Sequence, residues 1–163
     1  MSHEIEQLYR QYASAVFRFA WGLCGDHSTA EDIVSETFVR VMTRAPRIRT
    51  RTALAYLLAI ARNTYLMGRR RTTREVPLPE GLLAPDHDPV LEIDNRARIA
   101  ATVLALADVP EGERAALLLR IDHELSYEEV AAALDISVSA AKVRVHRARR
   151  RLTAALDAQG RES

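Results

Sequence analysis

The residues best suited to bind a polyanion lie near the end of the chain, between Ile136 and Leu156. This stretch has no acidic residue and six basic ones, which are Lys142, Arg144, Arg147, Arg149, Arg150 and Arg151. On a helix, such groups bind phosphates, and those near the N-terminus of the helix can also hydrogen-bond to base edges. The pattern therefore predicts a DNA-binding helix, with a solvated basic helix as the alternative.

Two signals before this helix complete a helix-turn-helix. Ser126 to Glu129 fits a capping box that opens a short helix, and Asp135 to Ser137 forms a three-residue turn whose last residue can cap the basic helix. A helix-turn-helix places its second helix in the major groove. The residues expected to face inward are Ala141, Val145, Ala148 and Leu152. Those expected to face outward include Ser139, Ala140, Lys142, Val143, His146, Arg147 and Arg150.

A second basic region runs from Arg44 to Arg74 and contains nine arginines and no acid. A solubilising surface and the helix dipole explain part of it, because four of these arginines lie at or just after the end of a predicted helix, namely Arg69, Arg70, Arg71 and Arg74. Neither explains the three in the preceding loop, which are Arg47, Arg49 and Arg51. Tyr56 and Tyr65 are candidates to stack on an exposed base, with core packing the favoured use of each. The region predicts a second contact with an anionic partner.

The charge divides the 163-residue chain into three parts. Residues 1–74 carry 12 arginines and 6 acids, residues 75–95 carry 6 acids and no base, and residues 96–163 carry 11 bases and 10 acids. Prolines concentrate in the acidic part. The predicted fold is all-α: an N-terminal helical bundle over 1–74 and a C-terminal helix-turn-helix domain over 93–163, joined by a flexible acidic linker over 75–92. The 48% hydrophobic content and the six glycines argue against disorder and against a β-rich fold.

Apolar periodicity predicts further helices. They run from Ile5 to Leu23, over AEDIVSETFVRVM after a capping box with Ser28 at the N-cap and Glu31 returning to it, and from Ala53 to Arg71. In the second half they run from about Val90 to Leu106 and from about Pro110 to Arg120.

Nothing in the sequence favours catalysis, a cofactor or a metal. Asp32 and Glu36 lie four apart on one helical face but have no convergent partners for acid–base chemistry. Asp86 to Asp88 has poor geometry for a metal on a proline-rich linker, and Cys24 has no second cysteine to pair with. The sequence shows no signal peptide and no apolar run of about 20 residues, so we expect a cytoplasmic protein. Because no set of residues supports catalysis, we do not expect an enzyme.

Separate motifs in both halves of the chain, in order, resemble those of one known family. AEDIVSETFVRVM resembles the core-binding helix of the extracytoplasmic-function (ECF) group of the sigma-70 family, and YLLAIARN resembles its WLxxIARN signature, with Tyr56 in place of Trp. PEGER from Pro110, followed by LSYEEVAAALDISVSAAKVRVHRARRRL from Leu125, resembles the C-terminal domain of that group. The resemblance covers approximately residues 5–156. Members of the ECF group are initiation subunits of bacterial RNA polymerase.

The resemblance implies a division of labour. The N-terminal domain would bind the clamp helices of the beta-prime subunit of core RNA polymerase and open the −10 promoter element. The C-terminal domain would meet the beta flap and read the −35 element. The acidic linker would thread toward the RNA exit channel. An anti-sigma factor would inhibit the protein. Two alternatives are a stand-alone helix-turn-helix regulator and an interaction protein that binds an acidic partner.

The resemblance also assigns residues to each contact. The polymerase face would comprise Asp32, Ser35, Glu36 and Val39. The −10 contacts would come from Arg47, Arg49, Arg51, Thr52, Arg62, Asn63, Arg69 and Arg70. The −35 contacts would come from Ser139, Lys142, Arg144, His146, Arg147 and Arg150.

The sequence departs from the family pattern at a few of these sites. Ser35 replaces the usual Gln, and Met67 replaces a common Asp. Ala140 and Val143 replace Thr and Ser in the recognition helix, which removes two hydroxyl donors. These changes favour readout through DNA shape and phosphate contacts.

Overall fold

The computed structural model describes residues 2–43, 50–71 and 89–162, with side chains over 3–43, 50–69 and 97–161. In these ranges the chain forms helices and no strand, which confirms the predicted all-α class. The α-helices are α1 (Ser2–Cys24), α2 (His27–Thr43), α3 (Ala53–Arg71), α4 (Pro89–Ala107), α5 (Glu111–Leu117), α6 (Tyr127–Leu134) and α7 (Val138–Glu162). Most of the predicted linker, together with Arg47 and Arg49, lies outside the described residues.

The first three helices pack as a bundle around Phe19, Leu57 and Leu58. Gly25 separates α1 from α2 with a φ of +73°, a conformation that glycine adopts without steric cost. The predicted cap of α2 was wrong by two residues. Asp26, not Ser28, caps this helix, since its Oδ2 accepts a hydrogen bond from the backbone N–H of Thr29 at 2.9 Å.

The helix-turn-helix forms as predicted. The Oγ of Ser126 accepts a hydrogen bond from Glu129 N–H at 3.2 Å, and the Oγ of Ser137 accepts one from Ala140 N–H at 3.0 Å. Asp135 ends α6 in the left-handed conformation, with a φ of 55°. Because an Asp side chain tolerates this region better than most, the turn closes without a glycine. Ala141, Val145 and Ala148 face the core, and Leu152 is partly buried against it.

The helix predicted over Pro110–Arg120 has a different shape. Regular α-helix stops at Leu117, and a π-helical turn continues from Leu118 to Asp122. This turn carries Leu118 onto α1 at Gly22, where an added Cβ would lie 2.8 Å from Leu118 Cδ1. The Leu118 side chain therefore occupies the space that a side chain at position 22 would need.

The two halves of the chain pack against each other. α1 contacts α4, α5 and the π-helical turn, and α3 contacts α6. Leu106, Leu117 and Leu119 belong to the same buried cluster as Phe19 and Leu58. This arrangement brings the predicted −10 helix, α3, against the helix-turn-helix half.

Candidate nucleic-acid and polymerase interfaces

The outer face of α7 collects most of the predicted −35 residues. They recur at spacings of three and four, so they share one side of the helix, and all are exposed: Ser139, Lys142, His146, Arg147 and Arg150. Val143 lies among them and is also exposed. A cationic helix face with a polar N-terminal end can bind backbone phosphates along its length and base edges near its start.

Arg144 does not lie on that face. It is half-buried against α5, and a Cβ added at Gly112 would lie 3.0 Å from its Nη1. Arg151 points the same way and pairs with Glu113 at 2.9 Å (Nε to Oε2). These two arginines therefore attach α7 to α5, and the predicted DNA set divides between an outer face and an inner one.

Arg120 and Tyr127, which the sequence did not single out as site residues, lie next to Lys142 of the outer face. The guanidinium carbon of Arg120 lies 4.4 Å from the centre of the Tyr127 ring, and Lys142 Nζ lies 5.7 Å from the same ring. A cation over an aromatic face is held electrostatically. Tyr127 thus connects the π-helical turn, α6 and α7. Its position after the Ser126 cap was visible in the sequence, but its two cationic neighbours depend on tertiary packing.

The predicted polymerase residues form one surface on α2. Asp32, Ser35, Glu36 and Val39 are all exposed. The Arg40 guanidinium lies beside Glu36, with Nε 3.2 Å from Oε1, and its Nη1 donates to Met67 Sδ on α3 at 3.2 Å. The surface joins carboxylates to an exposed apolar side chain, which suits contact with another protein better than contact with DNA.

The predicted −10 residues are distributed along α3. Arg51 and Thr52 precede the helix, and the Thr52 Oγ1 caps it by accepting a hydrogen bond from Ala55 N–H at 3.1 Å. Asn63 and Arg69 are exposed further along. The side chains of Arg47, Arg49 and Arg70 lie outside the described residues.

Arg62, also on α3, is paired with a carboxylate from the other half of the chain. Its Nε and Nη2 donate to the two carboxylate oxygens of Glu111 at 2.8 and 2.9 Å. The side chains of Arg62 and Glu111 are only 14% and 13% exposed. The pair joins α3 to α5, and so it joins the two halves of the chain.

A second arginine, more deeply buried, also joins α5 to α3. Arg114 is 6% exposed and donates to the carbonyl oxygens of Leu106 and Val109, at 3.3 and 2.9 Å. Its Nη2 also lies 3.2 Å from the hydroxyl of Tyr65. Tyr65 is therefore a core residue, which agrees with its favoured use, and Tyr56 is half-buried.

An apolar groove of about 580 Å³ opens between α1, α4, the π-helical turn and α7. Its walls include Leu106, Leu118 and Ile121. Three cations also line it, and they are Arg18, Arg98 and Arg149. Arg18 pairs with Asp122, which leaves the lining basic on balance.

Cys24 lies at the end of α1, where its Sγ donates to the carbonyl oxygen of Asp26 at 3.2 Å. Burial is the main reason that its pKa rises to about 11. The thiol is therefore protonated at neutral pH and suits packing rather than nucleophilic chemistry. Among the described residues, no cluster of His, Cys, Asp and Glu has metal-binding geometry, and no helix has the length and apolarity to cross a membrane.

Comparison with known proteins accounts for both halves of the chain. Residues 8–75 match Sigma-70 region 2, and residues 100–152 match Sigma-70, region 4. The ECF RNA polymerase sigma factor EcfG of Rhodopseudomonas palustris is 34% identical over 152 residues, which cover 88% of this chain and 80% of EcfG. The chain belongs to the ECF group of the sigma-70 family. Sigma factors are transcription regulators rather than enzymes.

Other relatives agree with this assignment. This sigma factor is 36% identical over 152 residues to the ECF sigma factor SigE of Mycolicibacterium smegmatis. The match covers 90% of this chain and 59% of SigE, so the chain spans about three fifths of that relative. Among solved structures, the sigma factor RpoE in complex with the anti-sigma factor NepR from Bartonella quintana is 25% identical, with a TM-score of 0.76. That likeness covers 94% of this chain and 97% of RpoE.

Proposed function

We propose that this sigma factor starts transcription by binding core RNA polymerase and two promoter elements at once. The α2 surface would dock on the clamp helices of the beta-prime subunit, and the C-terminal half would meet the beta flap. α3 and the loop before it would bind the −10 strand, and α7 would bind the −35 duplex. The working units would be residues 1–74 and 93–163, with 75–92 as the tether. Its site of action would be the cytoplasm, where core polymerase meets DNA.

One observation carries this proposal above the others. The exposed face of α7 combines Lys142, Arg147 and Arg150 with the polar Ser139 near its start, and it follows a capped helix and a tight turn. This is the arrangement by which a helix-turn-helix enters a major groove. The α2 surface lies on a different helix, so a DNA contact and a polymerase contact need not compete.

The physical mechanism follows from the small size of each contact. One helix face and one short helical segment would each bury little DNA surface, so the free chain should bind promoters weakly. When polymerase holds both, the second contact forms at a high effective concentration. Removing a base from the stack costs a few kcal/mol, and pocket contacts together with polymerase binding would offset that cost.

Transcription by a reconstituted holoenzyme tests this proposal. The purified chain is mixed with core polymerase and genomic DNA, and the transcripts are sequenced. We expect initiation at a limited set of sites that share −35 and −10 sequences. A chain that associates with core polymerase but starts no transcript, or that binds its sites tightly as a dimer without polymerase, contradicts the proposal and supports a stand-alone regulator.

We also propose that an anti-sigma factor inhibits this protein. RpoE, a solved protein of the same fold, is bound by the anti-sigma factor NepR. The apolar groove beside α1 suits an amphipathic helix, and its Arg98 and Arg149 suit acidic residues along the edge of that helix. The groove is therefore the surface where we place the partner.

A charge placed in the groove tests this partner. Ile121 lines the groove and is 51% exposed, so Ile121→Asp should block docking without removing a core side chain. We expect more transcription from the promoters of this sigma factor in cells and unchanged transcription by the purified holoenzyme. Leu104→Asp is the matched control, because Leu104 is 66% exposed and does not line the groove. Equal reporter output from the two variants would remove the groove from consideration.

A further inference from the structure

Arg62, a proposed DNA-binding residue, is bound to Glu111 and is therefore not free to bind DNA. The carboxylate takes both donors of the guanidinium fork, at 2.8 and 2.9 Å. A phosphate binds an arginine through the same bidentate geometry. Glu111 therefore occupies the donors that a phosphate of the melted strand would need, and Arg62 cannot serve both partners at once.

Two further carboxylates of the helix-turn-helix half face the loop before α3. A cleft of about 550 Å³ separates Thr50 and Arg51 from the start of α6, where Glu128 and Glu129 line its other wall. These carboxylates belong to the helix-turn-helix half, as does Glu111. Single-stranded DNA that approached the loop before α3 would meet negative charge across the cleft, which opposes entry.

Both observations lead to one inference, which rests on the proposed role of Arg62 at the −10 strand. We propose that the helix-turn-helix half inhibits the −10 surface in the free protein, with Glu111 acting as a phosphate substitute that latches Arg62. Opening the contact between α3 and α5 releases Arg62 for DNA. The partner that competes with Glu111 for Arg62 is a single strand of nucleic acid.

The first test measures binding of the full chain to a short, fluorescein-labelled single-stranded DNA of mixed sequence. Glu111→Gln keeps the size of the side chain and removes the charge that latches Arg62. If only about a tenth of the free chain is open, release of the latch raises apparent affinity by up to about tenfold. Asp157→Asn is the matched control, because it removes one exposed negative charge far along α7 and should change affinity little. Equal affinity of Glu111→Gln and the unchanged chain overturns the proposal.

The second test separates the latch from the DNA contact. In a chain with both Arg62→Glu and Glu111→Arg, the pair can form again with the charges exchanged. We expect small-angle scattering to show the compact dimensions of the unchanged chain, larger dimensions for Glu111→Gln, and the weakest DNA binding for the exchanged pair. If Glu111→Gln is no larger than the unchanged chain, the pair does not hold the two halves together, and the proposed opening of the helix-turn-helix half is overturned. Should Glu111→Gln lose its helical circular dichroism, Glu111→Asp takes its place, since it shortens the reach to Arg62 but keeps the charge.

The failure of the underlying function has a different signature. When Arg62→Gln is added to Glu111→Gln, the tighter DNA binding should disappear while the larger dimensions remain. If the double variant binds DNA as tightly as Glu111→Gln, Arg62 is not a DNA contact, and the latch explanation of the tighter binding is overturned. If the wild-type holoenzyme initiates nowhere, the sigma function fails, and the scattering result still reports whether the two halves separate.

Discussion

The two helices that we propose for promoter contact hold their cations in opposite states. On α7, Arg147 and Arg150 project into solvent from a stretch without acids. On α3, Arg62 is largely buried and bound to a carboxylate from the other half of the chain. A solvated cation can attract DNA without a conformational change, whereas a paired one must first be released. We therefore expect the −35 face to be available in the free protein and the −10 face to need an opening step.

The strongest way to break this comparison is to remove Arg114, the buried cation that also joins α5 to α3. Arg114→Ala takes away the donors to Leu106 O, Val109 O and the Tyr65 hydroxyl, in a place where water does not reach freely. Leaving these acceptors unpaired and the space unfilled should lower the free energy of unfolding by about 3 kcal/mol. Urea denaturation followed by circular dichroism measures it. Arg161→Ala, at the exposed end of α7, is the control and should stay within about 0.5 kcal/mol.

A double-mutant cycle sharpens the comparison for ion pairs themselves. The pair of Arg62 and Glu111 should show a coupling free energy of about 1–3 kcal/mol, because both partners are poorly solvated and doubly hydrogen-bonded. The pair of Arg40 and Glu36, on the more exposed surface of α2, should show only about 0.3–0.5 kcal/mol. Each value comes from urea denaturation of the two single variants and the double. Equal coupling in the two pairs would show that the latch stabilises no more than an ordinary surface pair.

The stability of the contact between the two halves of the chain should depend on pH through His123. Its side chain is 3% exposed, its ring packs edge-on to Phe19 of α1 at 5.7 Å, and its Nε2 lies 3.4 Å from the Asp122 carboxylate. Burial lowers the pKa of His123 below its usual 6.5; Asp122 opposes this and Arg18 adds to it. The unfolded chain then binds a proton more readily than the folded one. Stability from this group is fully present above about pH 6.5 and falls as the pH drops further, by at most about 1.4 kcal/mol per unit.

Urea denaturation at several pH values measures this dependence. His123→Phe keeps an aromatic ring against Phe19 and cannot titrate, so its stability should change less between pH 7.5 and pH 5.5 than that of the unchanged chain. His146→Gln serves as the control, because this histidine lies exposed on α7. A stability that is equally pH-dependent with and without His123 would assign the effect to other groups.

Local signals predicted most of the helices of this sigma factor. Apolar spacing gave α3 with both bounds as observed, and the Ser126 and Ser137 caps formed as expected. These features depend on residues within a few positions of each other, so a single sequence contains them. The cap of α2 was wrong because Asp26 and Ser28 are both good capping residues, and the choice between them depends on how Gly25 turns the chain.

The features that decide the site depend on distant residues. Arg62 and Glu111 are 49 positions apart, and nothing in their own neighbourhoods indicates that they pair. The inward position of Arg144 places its guanidinium over the bare backbone of Gly112 on α5. The π-helical turn likewise depends on packing, since it lets Leu118 fill the space beside Gly22. Spacing along the chain identifies which residues share a helix face, but it does not identify what that face touches.

The smallest expected effect concerns the exposed face of α7. Arg147→Ala should leave stability almost unchanged and weaken binding of the holoenzyme to promoter DNA across sequences. It should also reduce the slope of log affinity against log salt by about 0.9, because one fewer phosphate is neutralised. Titrations at several salt concentrations measure the slope, and Arg161→Ala is the control at the far end of the helix. Arg144→Ala should change the salt slope less than Arg147→Ala, since Arg144 packs on α5. Equal slopes for these two variants would mean that α7 meets DNA through its inner side as well, and the contrast between its two faces would then be lost.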